Sequence, residues 1–295
     1  MLTDLFRLQM DMLGARAELA AGLASNWLLD KATPQGGGSQ PVITMPGFMA
    51  SDATLSRLNA YLNRNGFDAH GWGLGRNLGP QGRSWGEHLD IIGQSLGDKI
   101  KELSDTHGTE VALVGHSLGG ICARELASRM QHHVDRVLML GSPTLHPYLS
   151  QQHNRAVSMF GYWLSRQSKA ELAGRSGLLH WDAGHPPIPC VAIHSPIDGV
   201  VNEASCVIPQ YIVNQSSKRA PRENIRVLSS HIGMSVNPWV LLVIADRLTE
   251  STADWRQFDP YDYFPESLHW VVSALFPRPK PDLKKSGTIA VAEAG

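Results

Sequence analysis

The stretch Val-Ala-Leu-Val-Gly-His-Ser-Leu-Gly-Gly, from Val111 to Gly120, constrains this chain more than any other. Four apolar residues run straight into Gly115-His116-Ser117-Leu118-Gly119, the pattern of a buried strand that turns abruptly into a helix with a serine at the apex. A residue held at such a turn has a strained backbone, and a Cβ two positions before or after it would collide with the adjoining strand or helix. Gly115 and Gly119 meet that demand. In a chain with 28 glycines the pentapeptide alone carries little weight; the strand before it and the helix after it give it force.

The rest of the chain supplies the setting that such an elbow requires. Pro41 to Met45 is β-rich and enters the tight loop Pro46-Gly47-Phe48-Met49-Ala50-Ser51-Asp52. A helix follows with Leu55, Leu58 and Leu62 on one face and Gly66 at its end, then a strand from Phe67 to Trp72. The next helix runs from about Ser84 to His107 with Leu89, Ile92, Leu96, Ile100 and Leu103 as its stripe, and leads into the elbow strand. Beyond the elbow come a helix to Met130, strands at Val134–Leu140, Cys190–His194 and Ile225–Leu228, and a helix from Pro238 with Asn237 as its cap. Such alternation predicts an α/β fold: a mostly parallel central sheet with helices on both faces. At 295 residues the chain can bury one large core.

Residues 146–187 break the rhythm with Met159, Phe160, Tyr162 and Trp163 close together and read as an inserted cap within a catalytic domain spanning 41–277. Phe160 and Trp163 are candidates for lining a substrate pocket or moving as part of a lid; Met49 in the loop after the first strand and Trp72, from the strand beside Phe48, are further substrate-binding candidates. Residues 1–32 place Leu5, Leu8, Met12, Ala15, Leu19, Leu23 and Trp27 at helical spacing, an amphipathic helix whose apolar stripe should lie on the protein's own core or on a second copy of the chain. Its polar face is not basic, so lipid contact is the weaker alternative. Residues 33–40 read as a linker and 278–295 as a free tail.

Charge and cysteine content narrow the function. Lysine and arginine number 26 against 27 acidic residues, so no polyanionic partner such as nucleic acid is indicated. Cys122, Cys190 and Cys206 form no CxxC pair or zinc-spaced cluster, which predicts no metal site and, in the absence of an export signal, buried free thiols rather than a Cys190–Cys206 bridge. No run reaches the roughly 20 apolar residues that span a bilayer, and the expectation is a soluble, cytoplasmic protein without a cofactor.

A serine hydroxyl needs a general base, and the base needs a carboxylate to hold its tautomer. The strand ending at His194 runs into Ser195-Pro196-Ile197-Asp198-Gly199, and the last strand runs into Ser229-Ser230-His231-Ile232-Gly233, so Asp198 and His231 follow Ser117 in the order acid, then base. Glu203 is the nearest substitute for the acid, while His116 and His194 read as packing residues. With Pro46-Gly47-Phe48, these segments resemble the bacterial lipases and esterases of the α/β-hydrolase superfamily. The resemblance implies hydrolysis of a small-molecule ester through an acyl-enzyme intermediate. It assigns the oxyanion donors to the backbone of Leu118 and of Phe48 or Met49. Pro46 stands where many lipases of this kind have histidine, which weakens any inference to lipid substrates. Acyl transfer and amide, thioester or polyester hydrolysis use the same triad and stay open, as does a non-catalytic binding protein with the N-terminal helix as its docking element.

Overall fold

A computed structural model describes residues 2–36, 40–81, 83, 85–144, 186–214 and 220–278. Helix α1 (Leu2–Ala32) precedes β1 (Pro41–Met45), α2 (Ser56–Arg64), β2 (Asp68–Gly71), α3 (Trp85–His107), β3 (Val111–His116), α4 (Leu118–Arg129), β4 (Val134–Leu140), β5 (Cys190–His194), β6 (Arg222–Arg226), α5 (Pro238–Thr249) and α6 (His269–Leu275). The six strands lie in the order β2-β1-β3-β4-β5-β6, and every neighbouring pair is parallel. The chain moves outward from β1 to β2, then returns to the other side of β1 to lay down β3. The loops after β1 and β3 therefore part company at their C-terminal ends, the crevice where open α/β sheets bind ligands.

The sheet is apolar on both faces because helices cover both. Along β3, Val111 and Leu113 join Ile43, Met45, Val137 and Met139 beneath α3 and α4, whereas Ala112 and Val114 join Val42, Leu138 and Leu140 beneath α2 and α5. Alternate side chains thus point to opposite cores, and the strand reads as one continuous apolar run. Helix α5 begins where its sequence says it should. The Asn237 side-chain oxygen Oδ1 accepts from the N–H groups of Trp239 and Val240 at 2.9 and 3.3 Å, and Pro238 occupies the first turn, where a missing N–H costs nothing.

One strand departs from the expectation. The last strand occupies Arg222–Arg226, earlier than the apolar run Ile225–Leu228, and the polar residue that it buries, Glu223, is matched from outside the sheet. Glu223 is buried, and its carboxylate meets the Arg247 guanidinium at 2.8 Å, the Trp255 indole N–H at 3.2 Å and the Phe258 N–H at 2.6 Å. Arg247 also pairs with Asp246 at 2.5 Å and lies over the Trp255 ring, 4.9 Å from its centroid. This cluster fastens the aromatic C-terminal segment to the sheet. Replacing Arg247 by leucine leaves the Glu223 charge buried without its cation, and the expected cost is about 3–5 kcal/mol of stability, seen as a lower denaturation midpoint. An unchanged midpoint would show that the cluster contributes nothing.

The N-terminal helix does not lay its apolar stripe on the protein's own core, the first of the two surfaces expected for it. Asp11 is only 3% exposed and faces the body with Gly14, Glu18 and Gly22, whereas Met12 is 46%, Leu19 40% and Leu23 58% exposed. Glycine permits the close approach: a Cβ on Gly14 would stand 3.0 Å from the Ser230 Cβ, and one on Gly22 2.9 Å from the Val236 carbonyl oxygen. The polar residues turn inward because backbone N–H groups of the body await them there. Among the described side chains of α1, Leu29, near its end, is the one that enters the main core.

Candidate active site

Ser117 sits between β3 and α4 with φ 52° and ψ −119°, a left-handed conformation that a non-glycine residue adopts only where the surroundings impose it. Those surroundings are tight. A Cβ on Gly115 would overlap the backbone of Gly119 and Gly120, and one on Gly119 would overlap the Met45 carbonyl of β1. The Ser117 N–H donates to the Leu140 carbonyl at 2.8 Å, which ties the elbow to the end of β4. Leu118 is the first residue of α4, so its N–H has no carbonyl within the helix to bond and lies at the positive end of the helix dipole.

Asp198 and His231 converge from the ends of β5 and β6. The Asp198 Oδ2 accepts from His231 Nδ1 at 2.7 Å, and its Oδ1 accepts from the N–H groups of Val200 and Val201 at 2.8 and 2.7 Å. The carboxylate is thereby fully oriented: one oxygen is fixed by its own turn and the other faces the imidazole. Burial alone would pull the His231 pKa down; the adjacent Asp198 charge outweighs it, with Asp11 adding to the effect, and the imidazole stands above the ordinary histidine value. The hydrogen bond at Nδ1 leaves Nε2 as the atom that exchanges protons. Gly141, with φ 55°, borders this pair: a Cβ there would lie 3.1 Å from His231 Nδ1 and 3.2 Å from Asp198 Oδ2.

Ser117 and His231 line one cavity of about 600 Å³, together with Phe48, Leu118, Ile121 and Val200 from the body and Met12, Ala15 and Leu19 from α1. Its size suits a small organic ligand, and its walls are predominantly apolar.

Several sequence-predicted residues fall elsewhere. Met49 has φ 61° and its side chain is exposed outside the cavity; its N–H donates to the Asn77 carbonyl at 2.8 Å, so that donor is already engaged. Trp72 is buried away from the cavity, with its indole N–H donating to the Gly75 carbonyl at 2.9 Å. Glu203 is held by His194 at 3.0 Å and by Arg226 at 2.5 and 2.9 Å; against burial, which raises its pKa, these partners bring it to about 2. It has no contact to offer His231. Phe160 and Trp163 lie outside the described residues. The three cysteines are free and buried.

Two contributors escape a reading by motif. His116 is pushed down to about 4 by burial and by the neighbouring His231, so it is neutral near pH 7, and its Nε2–H donates to the His231 carbonyl at 2.9 Å. The Ser195 hydroxyl oxygen accepts from the N–H groups of Ile197 and Ser229 at 3.2 and 3.1 Å, joining the acid loop to the base loop. A histidine next to the elbow and a serine beginning the acid loop carry no signal that separates such roles from packing.

Residues 74–179 match a family described as the PGAP1-like alpha/beta domain, a span short of half the chain. Among solved structures, a soluble variant of the Saccharomyces cerevisiae monoglyceride lipase, bound to a substrate analogue, superposes with a TM-score of 0.50 at 14% identity, covering 74% of this chain and 89% of that one. The fold is that of the α/β-hydrolases. A mature Bacillus licheniformis lipase aligns at 18% identity and a TM-score of 0.48 over 73% of this chain and 94% of its own. The thioesterase domain of the curacin biosynthetic pathway aligns at 12% and 0.44 over 71% and 90%. Comparison with curated protein sequences returns no match. Within this fold Ser117, Asp198 and His231 all lie at the C-terminal edge of the sheet, after β3, β5 and β6. Among the described residues no helix is long and apolar enough to cross a membrane.

Proposed function

We propose that this protein is a serine carboxylic ester hydrolase. The observation that carries the reading is the shared apolar cavity: Ser117 on its strained elbow and His231, oriented by Asp198, both open into it. In the first half-reaction the Ser117 oxygen attacks the ester carbonyl while His231 Nε2 takes the hydroxyl proton. The carbonyl oxygen becomes anionic and is received by the N–H groups of Leu118 and Phe48. Collapse of this intermediate breaks the bond to the alcohol, which leaves with the proton from His231, and the acyl group stays on Ser117. Water then repeats the sequence, releasing the acid and regenerating the serine. Apolar walls at Met12, Leu19, Phe48, Ile121 and Val200 favour an uncharged ester with an apolar acyl portion over a charged substrate.

The test pairs labelling with turnover. A fluorophosphonate should modify the folded protein once, at the peptide containing Ser117, and p-nitrophenyl esters from acetate to palmitate should be hydrolysed with a specificity constant that does not collapse beyond acetate. Folded protein left unlabelled at Ser117 would overturn the reading. Labelling accompanied by activity on acetate alone would keep the chemistry and discard the apolar acyl substrate.

A further inference from the structure

The proposed reaction uses one carboxylate, yet α1 brings two others against the loop that carries His231. The Asp11 Oδ1 accepts from the Gly199 N–H at 3.1 Å and from the His231 N–H at 2.7 Å, and its Oδ2 accepts from the Ile232 N–H at 2.9 Å. Glu18, two turns further along the same face, accepts from the Ser230 N–H at 2.6 Å and from the Ser229 and Ser230 hydroxyls at 3.0 and 3.2 Å. Gly199 directly follows Asp198 in the chain. One buried carboxylate therefore grips the acid loop and the base loop at the same time.

We infer that Asp11 is a positioning residue for the reaction of Ser117, its carboxylate setting the distance between the Asp198 loop and the His231 loop. The inference rests on reading Ser117, His231 and Asp198 as a hydrolytic triad. A helix tether could have been placed anywhere along the 31 residues of α1, on any part of the body. Here it lands on the main chain of the base itself. The His231 backbone is held at its N–H by Asp11 and at its carbonyl by His116, so its ring has only side-chain rotation left, and Asp198 removes that. Charge-assisted bonds to backbone N–H groups are short and directional, which suits them to fixing a loop rather than merely covering it. The approach also demands small residues opposite: a Cβ on Gly199 would stand 3.1 Å from the Asp11 Cβ, and one on Gly233 would overlap the Glu18 carboxylate.

The test uses the full chain with Asp11→Ala and Asp11→Asn, with Ser117→Ala as the turnover blank. Asp105→Asn, an exposed site on α3, controls for the same loss of charge. For Asp11→Ala, kcat on p-nitrophenyl butyrate should fall about 100-fold with KM within about threefold, the scale expected when a reacting group is displaced by about 1 Å. Asp11→Asn should lose about tenfold, because its carbonyl oxygen can still accept from His231 and Gly199 while its amide meets the Ile232 N–H donor to donor. A second measurement is independent of turnover. The downfield proton resonance of the His231–Asp198 hydrogen bond, identified by its disappearance in His231→Gln, should vanish or broaden in Asp11→Ala while the thermal transition is retained.

An unmoved resonance with kcat within about twofold of the parent would overturn the inference, since a group that set the geometry could not be removed so quietly. So would activity lost only together with the thermal transition in both variants, which is the mark of a purely structural tether. If the parent itself shows no Ser117-dependent turnover, the hydrolase reading fails, and the proton resonance still decides whether Asp11 governs the His231–Asp198 geometry.

Discussion

Replacing Ser117 by alanine is expected to reduce ester turnover by about a million-fold, the loss seen when a triad serine is removed from a protease of unrelated fold. The substitution removes the atom that forms the acyl bond, and no other hydroxyl among the described residues stands at the elbow in its place. The oxyanion donors and the cavity survive, so a residual rate of about 1,000 to 10,000 over water should persist. KM should barely move, because the cavity walls that hold the substrate are untouched. Folding should survive as well: alanine and serine bear the same Cβ, and the left-handed backbone at φ 52° strains both alike. Steady-state kinetics on a p-nitrophenyl ester, with a thermal melt beside it, decides the matter. Turnover within tenfold of the parent would remove Ser117 from the mechanism.

Asp198→Asn should lower kcat by about 10,000-fold with little change in KM, by analogy with the corresponding change in a serine protease. The asparagine keeps the volume but can present an N–H to His231 Nδ1, which fixes the imidazole in the tautomer that cannot accept the serine proton at Nε2. The pH profile adds a sign. His231 acts as a base only when neutral, and in the parent its pKa lies above the ordinary value, so kcat/KM should rise with pH through that raised pKa and be lost on acidification. In Asp198→Asn the supporting charge is gone, burial prevails over the remaining pull of Asp11, and the acid limb should move to lower pH. An acid limb that stays in place would show that Asp198 does not set the charge state of His231. His116 does not confuse the profile near neutrality, since it is already neutral well above pH 4.

The parts of this site that were legible in the sequence are those whose chemistry demands a fixed local pattern. The elbow is one, because Gly115 and Gly119 meet backbone that no side chain could share. Asp198 is another, because it follows the apolar strand Cys190–His194, and His231 is a third, because it follows the last strand, even though that strand lies at Arg222–Arg226, earlier than the apolar run. What could not be read depends on contacts between distant segments. The apolar stripe of α1 predicted burial, yet Met12 and Leu19 stand at the lip of a cavity while Asp11 and Glu18 turn inward to backbone donors more than 180 residues away. Met49 and Phe48 are adjacent and equivalent on paper, and nothing in the motif foretells that the Met49 N–H donates to the Asn77 carbonyl. Glu203 and Asp198 are both acidic residues in the stretch after β5, and only the position of Arg226 and His194 shows which is already occupied.

The grip of α1 on the far end of the chain has a consequence in time. Residue 11 leaves the ribosome early, but its partner His231 is 220 residues downstream, a separation of about 10 to 45 s at ordinary rates of synthesis. Until then the elbow and the Asp198 loop can both be made, while the residue that Asp11 and Asp198 hold between them is still missing. On the proposed reading a nascent chain that stops short of His231 is chemically silent, and its competence arrives only when α1 has closed over the His231 loop.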